Sequence, residues 1–207
     1  MRPLPRVHAY TNAELLSHPD LGIRAAAIAA GGSAVALHAR ARGESAAFLT
    51  AAARRLVALS RPPEAAVLIS GRPDIAAGVG AQGVQLGHGD MSPADARRVL
   101  TQGWIGRSVH NKEEAAIAVG EGADFLVIGS VYPTASHPGD PGAGPDLVRQ
   151  VIELKVPVIA IGGITPERAW EVHSAGAYGV AAIAALWHAA DPAAATLALL
   201  EPWVNQP

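Results

Sequence analysis

Eight short apolar, β-prone runs recur along this chain, with alanine-rich stretches of helical spacing between them. The runs cover residues 6–10, 33–37, 66–69, 83–86, 104–106, 125–128, 157–161 and 178–183. Helical spacing marks 44–59, 93–100, 112–120, 146–154 and 166–175. Ser92-Pro93 and Thr165-Pro166 supply a hydroxyl cap with proline in the first helical position, and Asn111 stands just ahead of Glu113 and Glu114. Gly103, Gly122 and Gly176 mark helix ends, where a left-handed residue closes the last turn.

Eight units in 207 residues leave about 26 residues each, near the minimum for a strand, a crossover helix and two turns. The runs are continuously apolar, as in a parallel sheet with helices on one face and packed side chains on the other. The expected fold is therefore α/β, a single (β/α)8 TIM barrel domain over residues 1–207, with an open doubly wound sheet as the competitor. Half the residues are apolar and 16% are charged, which supplies a core and no disorder signature. Sixteen basic and eighteen acidic residues balance to −2, leaving no electrostatic footprint for nucleic acid or anionic lipid. The absence of cysteine excludes disulfides, thiolate metal sites and a cysteine nucleophile. Residues 1–11 lack the apolar segment of a secretory signal, and the most apolar window, 175–187, is too short to span a bilayer. A soluble, cytoplasmic protein is expected.

Barrel chemistry sits at the carboxyl ends of the strands. There, Gly162-Gly163 ends the seventh run just before a helix, so backbone amides and the helix dipole can approach a phosphate ester. Ala181 and Ala182 keep the adjoining end of the eighth run open, while Thr134 and Ser136 offer hydroxyls from a long loop. That loop, rich in glycine and proline, is expected to cover substrate, with an exposed functionless loop as the competing reading. Asp90 could hold a Mg²⁺ or cap the helix beginning near Ser92. His38, His88, His110 and His137 follow strands two, four, five and six and are candidates for proton transfer. Their spacing is not that of a zinc site. The four tryptophans read as core or interface residues.

The chain resembles the thiamine phosphate synthase and TenI-like thiazole tautomerase superfamily. The resemblance rests on Gly83-Val84-Gln85-Leu86-Gly87 with Asp90, Ile105-Gly106-Arg107-Ser108-Val109-His110, Ala123-Asp124-Phe125 leading to Tyr132-Pro133-Thr134, Val158 through Ile164, and Gly176-Ala177-Tyr178-Gly179-Val180-Ala181. It implies a (β/α)8 barrel, a homodimer, and a phosphorylated thiazole with its phosphate on the turns after strands seven and eight.

The synthase branch joins a hydroxymethylpyrimidine diphosphate to the thiazole phosphate and expels Mg²⁺-bound pyrophosphate. Where that branch carries Gln-x-Arg-x-Lys this chain is aligned with Ala36, His38 and Arg40; for Asn-Asp it has Ser70-Gly71, and His137 replaces a lysine. The tautomerase branch is the closer resemblance, through Ser70-Gly71-Arg72 and the run ending in His110, although Ser130 stands where that branch uses a histidine as acid and base. The leading expectation is a thiazole tautomerase, with His110, His137, Ser130 and His88 as candidate catalytic residues. Gly162, Gly163, Ala181, Ala182, Thr134, Ser136, Ser108, His38 and Arg40 are the candidate substrate-binding residues. The alternatives are a divergent synthase, with Asp90, Arg40 and Ser108 handling a Mg²⁺-diphosphate, and a non-catalytic binder of thiazole phosphate. No cofactor is expected beyond Mg²⁺ for a diphosphate substrate, and neither nucleic acid nor membrane is an expected partner.

Overall fold

The apolar runs become eight strands: β1 (Val7–Tyr10), β2 (Val35–Ala39), β3 (Ala66–Ser70), β4 (Gly83–Leu86), β5 (Trp104–Val109), β6 (Phe125–Ile128), β7 (Val158–Ile161) and β8 (Gly179–Ala182). The computed structural model describes residues 3–60, 64–134, 138–139 and 141–204. Every strand pairs in parallel with its sequence neighbours, and β1 also pairs with β8, Val7 opposite Val180, so the sheet closes into a barrel in chain order. An open doubly wound sheet is excluded.

Strand side chains divide by parity. Val7, Ala9, Val35, Leu37, Val67, Ile69, Val84, Ile105, Leu126 and Ile128 point outward into the main core. There they meet α1 (Ala13–Ser17), α2 (Leu21–Ala29), α3 (Ala46–Leu59), α4 (Pro73–Val79), α5 (Pro93–Val99), α6 (Lys112–Gly120), α7 (Pro145–Val151), α8 (Pro166–Ser174), α9 (Ala184–Trp187) and α10 (Pro192–Val204). The opposite parity fills the barrel interior with Ala36, Ala66, Leu68, Trp104, Phe125, Val127, Ile159 and Ala181. Gly106 makes room for this layer, because a Cβ there would lie 2.2 Å from both the Phe125 ring and Gln85 Oε1. The interior is therefore a packed core with only its upper end available for chemistry.

The caps form as the sequence dictates. Ser92 accepts from Asp95 N–H at 3.1 Å, Asn111 from Glu114 N–H at 2.8 Å and Thr165 from Arg168 N–H at 3.4 Å. Gly122 and Gly176 take positive φ just beyond α6 and α8. Three strands run further than their apolar runs, β3 only by Ser70. Rather than following the strand on the rim, His38 lies inside β2 and is fully buried, and its ring hydrogen-bonds with that of His8 on β1. Ser108 likewise belongs to β5, with an inward side chain that receives a hydrogen bond from Gln85. Trp104 and Trp187 are core residues, whereas Trp170 is exposed. Among the described residues, no helix is long and apolar enough to cross a membrane.

Candidate active site

A pocket of about 510 Å³ opens at the carboxyl ends of β1 to β5, lined by Tyr10, Arg40, Arg42, Ser70, Gly71, Arg72, Gln85, His88, Asp90 and Ser108 among others. Thr11 sets its cationic side: its hydroxyl donates to His38 O at 2.8 Å and accepts from Arg40 N–H at 3.0 Å, tying the first residue after β2 to the end of β1. Burial, then the neighbouring Arg42 guanidinium, lowers the pKa of Arg40 below the usual arginine range. Neither arginine is in an ion pair among the described residues. Two like charges side by side at a pocket suit an anion. Arg72, by contrast, already forks onto Asp74 with bonds of 2.8 and 2.5 Å, and the same contact lowers the Asp74 pKa.

Asp90 faces this cationic side. Its Oδ2 accepts Gly87 N–H at 2.6 Å, and a Cβ on Gly71 would lie 2.9 Å from its Oδ1. Ser92, not Asp90, caps α5, which removes the capping reading. Among the described residues no three His, Cys, Asp or Glu side chains cluster as a metal site. Asp90 and Glu44 are the carboxylates lining the pocket, and so small a set fits Mg²⁺ only as that ion binds nucleotides and diphosphates, through one or two protein carboxylates together with water and phosphate oxygens.

The pocket floor is polar. Gln85 Nε2 donates to Ser108 Oγ at 3.0 Å and to Leu86 O at 3.3 Å, which turns Oε1 away from both. That Oε1, Tyr10 Oη, Ser70 Oγ and His38 Nδ1 are buried without a hydrogen-bond partner among the described residues. Tyr10 stacks on His38 with ring centroids 4.0 Å apart, and His38 Nε2 lies 2.8 Å from His8 Nδ1. Burial pulls the His8 pKa down to about 4 and lowers that of His38 as well.

Across the same end of the barrel, the turn after β7 holds Gly162 at φ 105° and Gly163 at φ 62°. A Cβ on Gly162 would meet Ser130 Cα at 2.8 Å, and one on Gly163 would meet Pro133 O at 2.5 Å. The Gly163 carbonyl accepts from Arg168 at 2.6 Å, and that guanidinium lies 4.5 Å from the centre of the Tyr132 ring. The Tyr132 hydroxyl donates to Glu171 at 2.6 Å; burial, and then that bond, raise its pKa. Ala181 and Ala182 are buried beside this turn at the end of β8. Thr134 is half-buried in the loop that follows Ser130.

The expected residues thus divide into two groups. Arg40, His88, Asp90 and Ser108 share the pocket; Gly162, Gly163, Ala181, Ala182 and Ser130 belong to the turns opposite, and His38 lies beneath the floor. Ser136 and His137 lie outside the described residues. His110 is exposed and outside the pocket; its Nδ1–H donates to Gly129 O at 2.6 Å, leaving Nε2 as the free ring nitrogen. The sequence alignment missed Arg42. Ala36 is buried in the barrel interior, so the Gln-x-Arg-x-Lys spacing falls on His38, Arg40 and Arg42 and retains both cations. Arg40 and Arg42 lie beyond the end of β2, Arg42 in a turn, so no strand periodicity marks them, and only the folded chain puts both at the pocket.

The family described as thiamine monophosphate synthase matches residues 10–186 of this chain. A thiamine-phosphate synthase from Salinispora arenicola is 43% identical over 152 residues, covering 72% of this chain and 73% of the relative. The bifunctional protein ThiM/ThiE of Symbiobacterium thermophilum is 45% identical over 154 residues, 72% of this chain but only 32% of that longer protein. Among solved structures, a thiamine phosphate pyrophosphorylase from Pyrococcus furiosus superposes with a TM-score of 0.81 at 33% identity, covering 95% of this chain and 94% of that one.

Proposed function

The chain belongs to the thiamine monophosphate synthase family, and we propose that it joins a hydroxymethylpyrimidine diphosphate to a thiazole phosphate, releasing pyrophosphate. The observation that carries this reading is that Arg40 and Arg42, in no ion pair among the described residues, line one 510 Å³ pocket together with Asp90, whose carboxylate and the Arg42 guanidinium both border Gly87. Such a pocket suits a diphosphate far better than a thiazole monophosphate alone. The names of the relatives also favour coupling over thiazole tautomerisation, the leading expectation from sequence.

Coupling breaks the C–O bond between the pyrimidine methylene and the diphosphate. The bonding pair leaves with pyrophosphate, and a new bond forms from the thiazole to that carbon. Negative charge grows on the departing oxygens, and Arg40 and Arg42, which line the pocket, would stabilise it more in the transition state than in the ground state. Asp90 would hold Mg²⁺ with the diphosphate oxygens, and the bound ion would supply further positive charge to the leaving group. Tyr10, Gln85 and Ser108 give the heterocycle a polar floor. The Gly162-Gly163 turn and the N-terminus of α8 accept the thiazole phosphate, with Thr134 beside them.

The test is a coupled assay. Purified protein with both substrates and Mg²⁺ is expected to release pyrophosphate and form thiamine phosphate, and Arg40→Ala or Arg42→Ala to lose about 100-fold or more in kcat. Thiazole isomerisation without coupling would overturn the reading in favour of a tautomerase. Binding of thiazole phosphate with no turnover of either kind would leave only a binder.

A further inference from the structure

We propose that His8 is a positioning residue: its hydrogen bond fixes the tautomer of His38, so that a bare imidazole nitrogen, not an N–H, lies beneath the floor of the pocket. The assignment follows from three contacts. Pro5 O, 3.1 Å from His8 Nε2, can only accept, so Nε2 carries the His8 proton. In a neutral ring His8 Nδ1 is then bare. His38 Nε2 lies 2.8 Å from it and must be the donor, which leaves His38 Nδ1 as a lone-pair acceptor.

That nitrogen is buried with no partner among the described residues, in the same condition as Gln85 Oε1, whose amide is oriented by Leu86 O. The floor of the pocket therefore holds two fixed acceptors, and the Tyr10 and Ser70 hydroxyls are buried there too, none of the four with a hydrogen-bond partner among the described residues. His8 acts at one remove. It anchors His38, His38 carries the stacked ring of Tyr10, and Tyr10 lines the pocket. Both rings are fully buried, and burial holds each of them in the neutral form the relay requires.

Two readouts test this, and only the second rests on the coupling reaction proposed above. Nitrogen-15 NMR of histidine-labelled, ligand-free protein is expected to show His8 and His38 each protonated at Nε2 alone, unchanged from about pH 8 to about pH 5. His8→Phe should let the His38 proton distribute over both nitrogens, and His8→Asn, whose side-chain oxygen can still accept, should restore the single tautomer. A proton on His38 Nδ1 in the unaltered protein, or an unchanged His38 in His8→Phe, overturns the proposal. In steady-state kinetics, His8→Phe should raise KM for the diphosphate substrate about tenfold with kcat changed far less, and His8→Asn should recover most of it. An unchanged KM in a folded His8→Phe overturns the positioning role. If His8→Phe fails to fold, the unaltered protein and His8→Asn still decide the tautomer. An absence of coupling activity in the unaltered protein would defeat the proposed function while leaving the NMR result standing.

Discussion

At the scale of single residues, burial of His8 and His38 ties stability to pH. An unfolded histidine gains its proton near pH 6.5, whereas folded His8 stays neutral until about pH 4. Between those values the unfolded state binds more protons, so stability is lost as pH falls from about 6.5 to about 4, with no further loss from this residue below that. The shift corresponds to roughly 3 kcal/mol for His8. Urea midpoints measured across that window should therefore fall with acid in the unaltered protein, and fall less steeply in His8→Phe. Neither the pair nor its pocket was fully legible in the sequence. His38 reads as a rim residue because an imidazole at the end of an apolar run is ordinarily solvated, and its partner lies 30 residues earlier. Arg42 reads as one more surface cation because it stands in the turn after β2, where only the folded chain shows it against the pocket. Asp90 was legible as a choice between two roles, and the cap formed by Ser92 removes one of them.

At the scale of elements, the turn between β7 and α8 is the most constrained junction in the fold. Gly163 has positive φ and no space for a Cβ, so Gly163→Ala should cost about 1–2 kcal/mol from backbone strain alone, with further loss from the contact with Pro133 O. Its melting temperature should drop, and calorimetry should show thiazole phosphate binding weakened beyond detection, whereas Thr165→Ala should cost only about 1 kcal/mol through the lost cap. Gly162-Gly163 was legible because strand, glycine pair, threonine and proline are punctuation that few other structures produce. Strand ends were less so: polar inward residues such as His38 and Ser108 continue a ladder that apolar character alone would end earlier. The closing α10 carries the same start signal, Asp191 ahead of Pro192, and the Asp191 carboxylate accepts from the Ala193 and Ala194 N–H groups at 3.0 Å, whereas the alanine-rich α2 has no side-chain cap bond. Pro202 even argues against α10, yet it sits in the last turn and removes only one late backbone bond.

At the scale of the whole molecule, the phosphate chemistry and the global fold are linked by mass action. Pyrophosphate with Mg²⁺ at about 100 times its dissociation constant should stabilise the protein by about 2.7 kcal/mol, raising its melting temperature by roughly 5–10 °C. Differential scanning calorimetry should record that rise in the unaltered protein and lose it in the Arg40→Ala, Arg42→Ala double variant. The barrel itself was legible because eight repeats of one length admit few other closed solutions, and the separation of the pocket from the β7 turn follows from which strands end beside one another. The seam between β1 and β8 has a kinetic consequence as well. A ribosome releases the first stave long before the last, so a half-made chain carries two raw, sticky flanks until Val180 arrives to meet Val7, and any stall in synthesis before that moment exposes those flanks to neighbouring chains.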